Sequence, residues 1–163
     1  LLRMQKYYPQ HVLNIIDIDY PSKKIYYQIE DVDFWELSNC MMKNYDLVLS
    51  DWKNQMLEII QAHHNLKIYK FSMHPSSYFI VDGKLKSINY FFCYDFSEND
   101  LVVENVFSHI SNERLEKLIP LMNNMNIDFK KPEPLHKLQM LTFETFKFNF
   151  PENIMEDAKK IYV

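Results

Sequence analysis

Glycine occurs only once among the 163 residues of this chain, at position 83. A loop that wraps its backbone closely around phosphate groups needs several glycines, because glycine alone adopts left-handed conformations freely and leaves room for a close approach. The sequence therefore excludes a P-loop and a glycine-rich dinucleotide-binding fingerprint. Asp82 precedes Gly83, and an Asp-Gly pair suits a tight two-residue turn. We predict a hairpin there, with Tyr78 to Val81 pairing with Leu85 to Ile88.

Length and charge narrow the classes of protein further. A chain of 163 residues with 47% hydrophobic residues is large enough for one domain with a substantial core. The net charge of −4, with both signs spread along the chain, argues against nucleic acid as a partner. Two cysteines make no disulfide framework, and no leader or long apolar run is evident. We therefore expect a cytoplasmic protein with no membrane partner.

The first third of the chain predicts a helix end followed by a hairpin. Leu1 to Tyr8 is typical of the last turns of a helix, stopped by Pro9. Val12 to Asp19 and Ile25 to Glu30 are rich in β-branched and aromatic residues and are separated by a polar turn, which predicts two paired strands. Phe34 to Met42 is predicted to be a short helical piece.

The strongest helical periodicity follows Ser50, a candidate N-cap, and continues to His63 and His64. Adjacent helical residues point about 100° apart, so these two histidines cannot serve one metal from a shared face. A structural role, with one histidine hydrogen-bonding near the following loop, is favoured. Ile68 to Phe71 is then predicted to be a strand.

The last part of the chain predicts more helices. One begins at Ser111, and Pro120 is expected to kink or split it, because proline lacks the donor N–H. Leu135 to Phe146 is predicted to be helical, and Pro151 opens a final helix. Strands and helices in this order indicate a mixed α+β fold rather than a βαβ alternation.

The segment from His63 to Phe91 resembles the catalytic loop and metal-binding hairpin of the protein-kinase-like family. In that family a helix is followed by a strand, a His-Arg-Asp loop, a Lys-Pro-x-Asn run, a small hairpin and Asp-Phe-Gly. Here Lys70-Phe71-Ser72 falls on His-Arg-Asp, Met73 to Ser77 on Leu-Lys-Pro-x-Asn, and Asn89-Tyr90-Phe91 on Asp-Phe-Gly.

The resemblance implies a single kinase-like domain, or a fragment of one, over residues 1–163. Residues 1–33 would form a partial small lobe, a β-hairpin with a vestigial hinge at Glu30, Asp31 and Val32, and residues 34–163 a reduced, mostly helical large lobe. The likeness extends from about Val12 to Phe91, and it is weak beyond that point.

The departures from the family bear on catalysis. Kinase chemistry requires a carboxylate near the attacking hydroxyl and charged or amide oxygens that hold magnesium. Ser72 cannot act as a carboxylate base, Ser77 is a shorter ligand than Asn, and Asn89 offers a neutral carbonyl in place of a carboxylate. His74 stands where many kinases have a lysine, and we expect it to stabilise the loop. The resemblance thus implies no catalytic residues, no metal, and weak or no binding of ATP and magnesium.

Three hypotheses follow from these residues. The first is a catalytically impaired, pseudokinase-like scaffold or regulator that binds another protein. The second is an atypical phosphotransferase, acting on a small molecule or a protein, that recruits groups such as Asp82 or Asp95. The third is a small α+β interaction or assembly protein without a nucleotide cleft. The heavy use of Lys, Asn, Ile and Tyr is consistent with an AT-rich genome, for example a viral one, and carries no functional information.

Overall fold

A computed structural model describes residues 1–28, 34–36, 51–71, 73–88, 90, 93–146 and 152–162. In these ranges the chain is mixed α+β, as its sequence predicts, with small antiparallel sheets and six helices. The elements are α1 (Leu2–Tyr7), a 3₁₀ turn (Pro9–His11), β1 (Asn14–Asp19), β2 (Lys24–Gln28), β3 (Phe34–Glu36), α2 (Trp52–Asn65), β4 (Ile68–Lys70), a second 3₁₀ turn (Pro75–Ser77), β5 (Tyr78–Val81), β6 (Lys84–Ser87), β7 (Cys93–Asp95), α3 (Val103–Val106), α4 (Asn112–Asn124), α5 (Leu135–Phe146) and α6 (Glu152–Ile161).

The chain divides into two compact units, and each unit is built from two separate segments. Unit 1 comprises Leu1–Ala62 and Pro75–Ile88. Unit 2 comprises His63–His74 and Asn89–Val163. The boundary between them therefore falls near the end of α2 and again on either side of the β5–β6 hairpin.

Unit 1 contains the predicted hairpin of β1 and β2, which pair in antiparallel fashion with a bulge between Ile15 and Asp17. A second sheet has the strand order β3-β5-β6. α2 buries most of its apolar residues, and the side chain of Gln55 on this helix accepts a hydrogen bond from the backbone N–H of Leu85 at 2.8 Å. This bond ties the helix to β6.

The turn between β5 and β6 has the predicted form. Val81 pairs with Lys84, so Asp82 and Gly83 are the two turn residues. Their φ angles are 50° and 71°, the left-handed values that a tight hairpin turn of this type requires. The single glycine of the chain therefore occupies a position with a left-handed backbone conformation, which glycine adopts without a steric penalty.

The helix predicted over Phe34 to Met42 is wrong at its start. Phe34–Glu36 is a strand, β3, which pairs with β5 so that Phe34 lies opposite Val81. Adjacent aromatic residues have a high β propensity, and the edge of β5 supplies a partner that no local pattern reveals. The rest of the predicted helix and Ser50, the predicted cap of α2, lie outside the described residues.

Unit 2 is built on the two-stranded sheet of β4 and β7 and on α3, α4, α5 and α6. Its core is one apolar cluster, in which residues of β4 and its following loop pack with α3, α4 and α5; the buried members are Tyr69, Phe71, Leu101, Val103, Phe107, Ile110, Leu118, Met122, Ile127, Leu138 and Leu141. Tyr69 and Phe71, which belong to the segment that resembles the catalytic loop, therefore lie in the hydrophobic core of unit 2.

The helices of unit 2 largely follow the sequence prediction. The Ser111 hydroxyl caps α4 by accepting from the backbone N–H of Arg114, and α5 covers the predicted range of Leu135 to Phe146. Pro120 does not split α4, which continues past it to Asn124. Within the described ranges no helix is both long and apolar enough to cross a membrane.

Candidate functional site

The most unusual feature of unit 2 is a lysine inside the protein. Lys70 ends β4, whose three residues are all buried, and its exposed fraction is 1%. In the antiparallel pair of β4 and β7, Lys70 lies directly opposite Cys93. Opposite residues of such a pair project to the same face of the sheet, so the buried ammonium and the half-buried thiol lie on one face.

Tyr90 also lies beside Lys70. The Lys70 Nζ atom lies 5.2 Å from the centre of the Tyr90 ring, within the range of a cation–π interaction. The Tyr90 hydroxyl and the Nε2 atom of buried His63 are 2.8 Å apart and share a hydrogen bond. The His63 and Tyr90 rings also meet edge to face, with centroids 5.6 Å apart. Tyr90 is thus held by two side chains on two different elements.

Burial sets the electrostatics of this cluster of His63, Lys70, Tyr90 and Cys93. Removal from water lowers the pKa of Lys70 to about 7, and interaction with the Cys93 thiol group opposes this shift. Burial also raises the pKa of Cys93, which favours the protonated thiol. The Cys93 thiol donates a hydrogen bond to the backbone carbonyl of Tyr90.

The cluster of His63, Lys70, Tyr90 and Cys93 has a structural role. His63, Lys70 and Tyr90 are too deeply buried to meet a ligand arriving from solvent, although a neutral lysine amine would otherwise be nucleophilic. His63 and Lys70 hold Tyr90 beside the end of α2 and the end of β4. The hydrogen bond of His63 agrees with the structural role favoured for one of the two histidines.

The predicted site residues fall in different parts of the chain. Ser72 and Asn89 lie outside the described residues, as do the hinge residues Glu30, Asp31 and Val32. His74 is half-buried and belongs to unit 2. Ser77 belongs to unit 1, is 2% exposed, and its carbonyl accepts from the N–H of Ile88 at 2.9 Å.

The two acidic residues considered as substitutes for the missing carboxylates also have defined places. Asp82 is an exposed turn residue of unit 1. Asp95 is an exposed residue of unit 2, and its carboxylate accepts from both the N–H and the hydroxyl of Ser97. In the part of the chain that the structure describes, no group of three or more His, Cys, Asp or Glu side chains is arranged to hold a metal ion.

Sequence reasoning did not identify Lys70 as buried. Lysine is among the residues least often found fully inside a protein, so the run Ile68 to Phe71 predicts an outward-facing lysine. The flanking residues offered a signal, since Tyr69 and Phe71 belong to the core while Ile68 is also buried. A strand whose residues are buried on both faces leaves no solvent-facing position for Lys70.

The chain matches no protein-family model, and no curated protein or solved structure matches it.

Proposed function

We propose that this chain is a degenerate protein-kinase-like domain that acts as a binding module rather than as a phosphotransferase. The order of its elements supports the proposal. α2 is followed by β4, a loop with a 3₁₀ turn, the β5–β6 hairpin and the segment that contains Tyr90. This is the order of helix, strand, catalytic loop, hairpin and metal-binding motif that the family requires.

The observation that carries the proposal is the contact between Lys70 and Tyr90. Lys70 stands at the position that resembles the histidine of His-Arg-Asp, and Tyr90 at the position that resembles the phenylalanine of Asp-Phe-Gly. The two are 20 residues apart in the chain, yet next to the pairing of β4 with β7 the ammonium lies 5.2 Å from the centre of the ring. In kinases the packing of that phenylalanine distinguishes active from inactive states.

The residue types at the remaining positions argue against phosphoryl transfer. Ser72 and Asn89 lack the carboxylates that a catalytic base and a magnesium ligand need. Ser77, which takes the place of the magnesium-binding asparagine, is a buried residue of unit 1. A hydroxyl enclosed in a packed interior is poorly offered to a metal–nucleotide complex.

An exposed apolar surface favours binding to another protein. On the β1–β2 hairpin and its turn, Ile16, Tyr20 and Tyr26 are 66%, 72% and 48% exposed. Aromatic side chains are enriched at protein interfaces, because they bury a large area at little entropic cost. This hairpin is the surface on which we expect the partner to bind.

Nucleotide binding and turnover by the whole chain test the proposal. We expect ATP, with or without magnesium, to raise the melting temperature by less than about 1 °C at millimolar concentration, since a ligand stabilises only the state that it binds. We also expect no release of phosphate above the background of a heat-denatured sample.

The variant His74→Ala distinguishes this proposal from the atypical phosphotransferase. Magnesium-dependent ATP turnover in the unaltered chain that disappears in the variant would show an active enzyme, and the proposal would be wrong. If the variant instead has the same null activity as the unaltered chain, while both unfold at similar temperatures, the binding-module proposal stands.

A further inference from the structure

Unit 1 contains an open pocket of about 440 Å³ beside the β5–β6 hairpin. This volume lies within the range of about 300–1,000 Å³ that is typical of small-molecule sites. Val12, Leu13 and Val81 provide apolar wall, and Asn14, Lys84 and Lys86 are among the polar lining residues. The pocket is therefore amphipathic, and the kinase resemblance assigns no role to these residues.

Two lysines give the lining of the pocket an excess of positive charge. Lys84 and Lys86 are two apart on β6, so their side chains lie on the same face of the strand. Burial, and then the positive charge of Lys84, lower the pKa of Lys86. The Lys86 ammonium donates to the carbonyl of Gln10 at 2.7 Å, and within the described ranges neither lysine forms an ion pair.

Other titratable groups near the two lysines also influence the charge of the pocket. Buried His11 feels the positive charge of Lys86, which lowers the pKa of His11 in addition to the larger effect of burial, while Glu58 opposes both. Asp82 also lines the pocket and supplies one negative charge against the two lysines. An anion at this place would relieve the repulsion between Lys84 and Lys86.

Three amide side chains that are hydrogen-bonded in a row line the same pocket. The Gln5 Nε2 group donates to the Oδ1 atom of Asn14, and the Asn14 Nδ2 group donates to the Oε1 atom of Gln28, each at 2.8 Å. All three residues line the pocket. Because the Oε1 atom of Gln28 accepts a hydrogen bond from Asn14, the polar group that Gln28 has left for a ligand is its NH₂ group, which can donate two hydrogen bonds.

We propose that this pocket binds a small organic anion, in which a carboxylate or phosphate ester group meets the lysines and the amide side chains while an apolar body lies against the half-buried Val81. An extended acidic peptide added to the edge of β6 fits less well. Ser87 at the end of that strand is already bridged to Val12, so the edge is partly closed.

The test uses three aromatic probes of similar size: phenyl phosphate, phenylacetate and benzyl alcohol. Each is titrated into the whole ¹⁵N-labelled chain, and binding is followed by the amide signals of Lys84 and Lys86 and the side-chain NH₂ signals of Asn14 and Gln28. We expect both anions to bind at least about tenfold more tightly than the neutral alcohol, a difference of about 1.4 kcal/mol. The two anionic arms distinguish a phosphate from a carboxylate preference.

Removal of the charge provides the matched comparison. The double variant Lys84→Gln, Lys86→Gln is expected to lose about tenfold in affinity for both anions and little for benzyl alcohol. Lys24→Gln, an exposed strand lysine of the same unit that does not line the pocket, is the control and should bind as the unaltered chain does. If loss of the Lys86 hydrogen bond unfolds the double variant, Lys84→Glu alone keeps that bond and should weaken both anions.

Three outcomes would overturn the proposal. One is equal affinity for benzyl alcohol and the two anions, which would indicate an apolar site. Another is no change in the four reporter residues at probe concentrations up to about 10 mM, the weak end of specific binding. The third is an acidic peptide that displaces the probes and binds more tightly than either anion, because the site would then belong to a protein partner. None of these outcomes depends on whether the chain turns over ATP.

Discussion

Burial of the charged Lys70 side chain lowers the stability of the protein, and contacts with neighbouring side chains offset only part of this loss. The ammonium of Lys70 loses its hydration, and the Tyr90 ring returns a part of that free energy through the cation–π interaction. The lowered pKa of about 7 expresses the remaining cost of keeping the charge inside. Near neutral pH the protonation state of this one residue is therefore linked to folding.

The linkage gives a pH dependence with a definite sign. Between pH 7 and the ordinary lysine pKa of 10.5 the unfolded chain binds a proton at Lys70 that the folded chain has released. Stability rises with pH wherever the unfolded state holds more protons. From pH 7.5 to 9.5 we expect the free energy of unfolding of the unaltered chain to increase, relative to Lys70→Met, by about 1 kcal/mol per pH unit. Urea denaturation at three pH values measures this slope.

A second lysine variant serves as the control for this measurement. Lys24 is exposed on β2, so Lys24→Met should run parallel to the unaltered chain over the same pH range. Below pH 7, where folded and unfolded Lys70 are both protonated, Lys70→Met should be the more stable protein because it lacks the buried charge. Parallel pH profiles for the unaltered chain and Lys70→Met would mean that Lys70 is not held in a dry environment.

At the scale of elements, the sequence predicts best where structure depends on neighbours in the chain. The Asp82-Gly83 turn, the helix that follows Ser111 and the helix over Leu135 to Phe146 depend on local features, and all three appear as predicted. The two hairpins were also predictable, because a turn joins strands that are close in sequence. Local physical chemistry determines these elements.

The missed elements depend on partners that are distant in the chain. β3 is a strand because β5 lies beside it, and β7 is a strand because β4 does. Short strands of three residues carry too little alternation for a periodic pattern to reveal them. The candidate site shows the same limit, since the loop order was predictable from the sequence but the burial of Lys70 against Tyr90 required the pairing of β4 with β7.

Pro120 shows that tertiary packing can override a local rule. Proline in a helix interior removes a hydrogen bond and costs about 3 kcal/mol relative to alanine, yet α4 extends from Asn112 to Asn124 across it. Leu118 and Met122, on either side of the proline, are both buried in the core of unit 2. Their burial holds the helix together on both sides of the defect.

Replacement of this proline should therefore stabilise the protein. Pro120 is exposed, so Pro120→Ala removes little packing, restores the missing N–H and gains helix propensity. We expect the free energy of unfolding to rise by about 1–3 kcal/mol in urea denaturation. Lys117→Ala, at an exposed position of the same helix, should change it by less than about 0.5 kcal/mol. A destabilising effect of Pro120→Ala would mean that α4 needs a bend at this position.

At the scale of the whole molecule, neither unit is a continuous piece of chain. Unit 2 takes residues 63–74 from one place and residues 89–163 from another. The shorter segment brings Tyr69, whose hydroxyl donates to the carbonyl of Leu138 at 3.1 Å and shares a hydrogen bond with Thr142. It also brings Phe71, which meets the ring of Phe107 edge to face. The core of unit 2 is incomplete without a segment that precedes the hairpin in the chain.

This topology predicts how fragments of the chain will fold. Residues 89–163 alone lack β4, Tyr69 and Phe71, and we expect them to unfold without a cooperative thermal transition. Lys70 lies opposite Cys93, and each is four residues from a cut end, so a flexible linker of about ten residues is long enough to join the two segments. The linked protein, residues 63–74 followed by 89–163, should unfold cooperatively in calorimetry.

The variant Tyr69→Ala, Phe71→Ala of that linked protein separates the contribution of the core contacts from that of added length. Loss of two large buried aromatic side chains costs about 3–5 kcal/mol each, which is comparable to the whole stability of a small domain. The variant should therefore behave like residues 89–163 alone. A cooperative transition in residues 89–163 alone would instead show that α3 to α6 form a core without β4. Residues 63–74 would then not be required for unit 2 to fold.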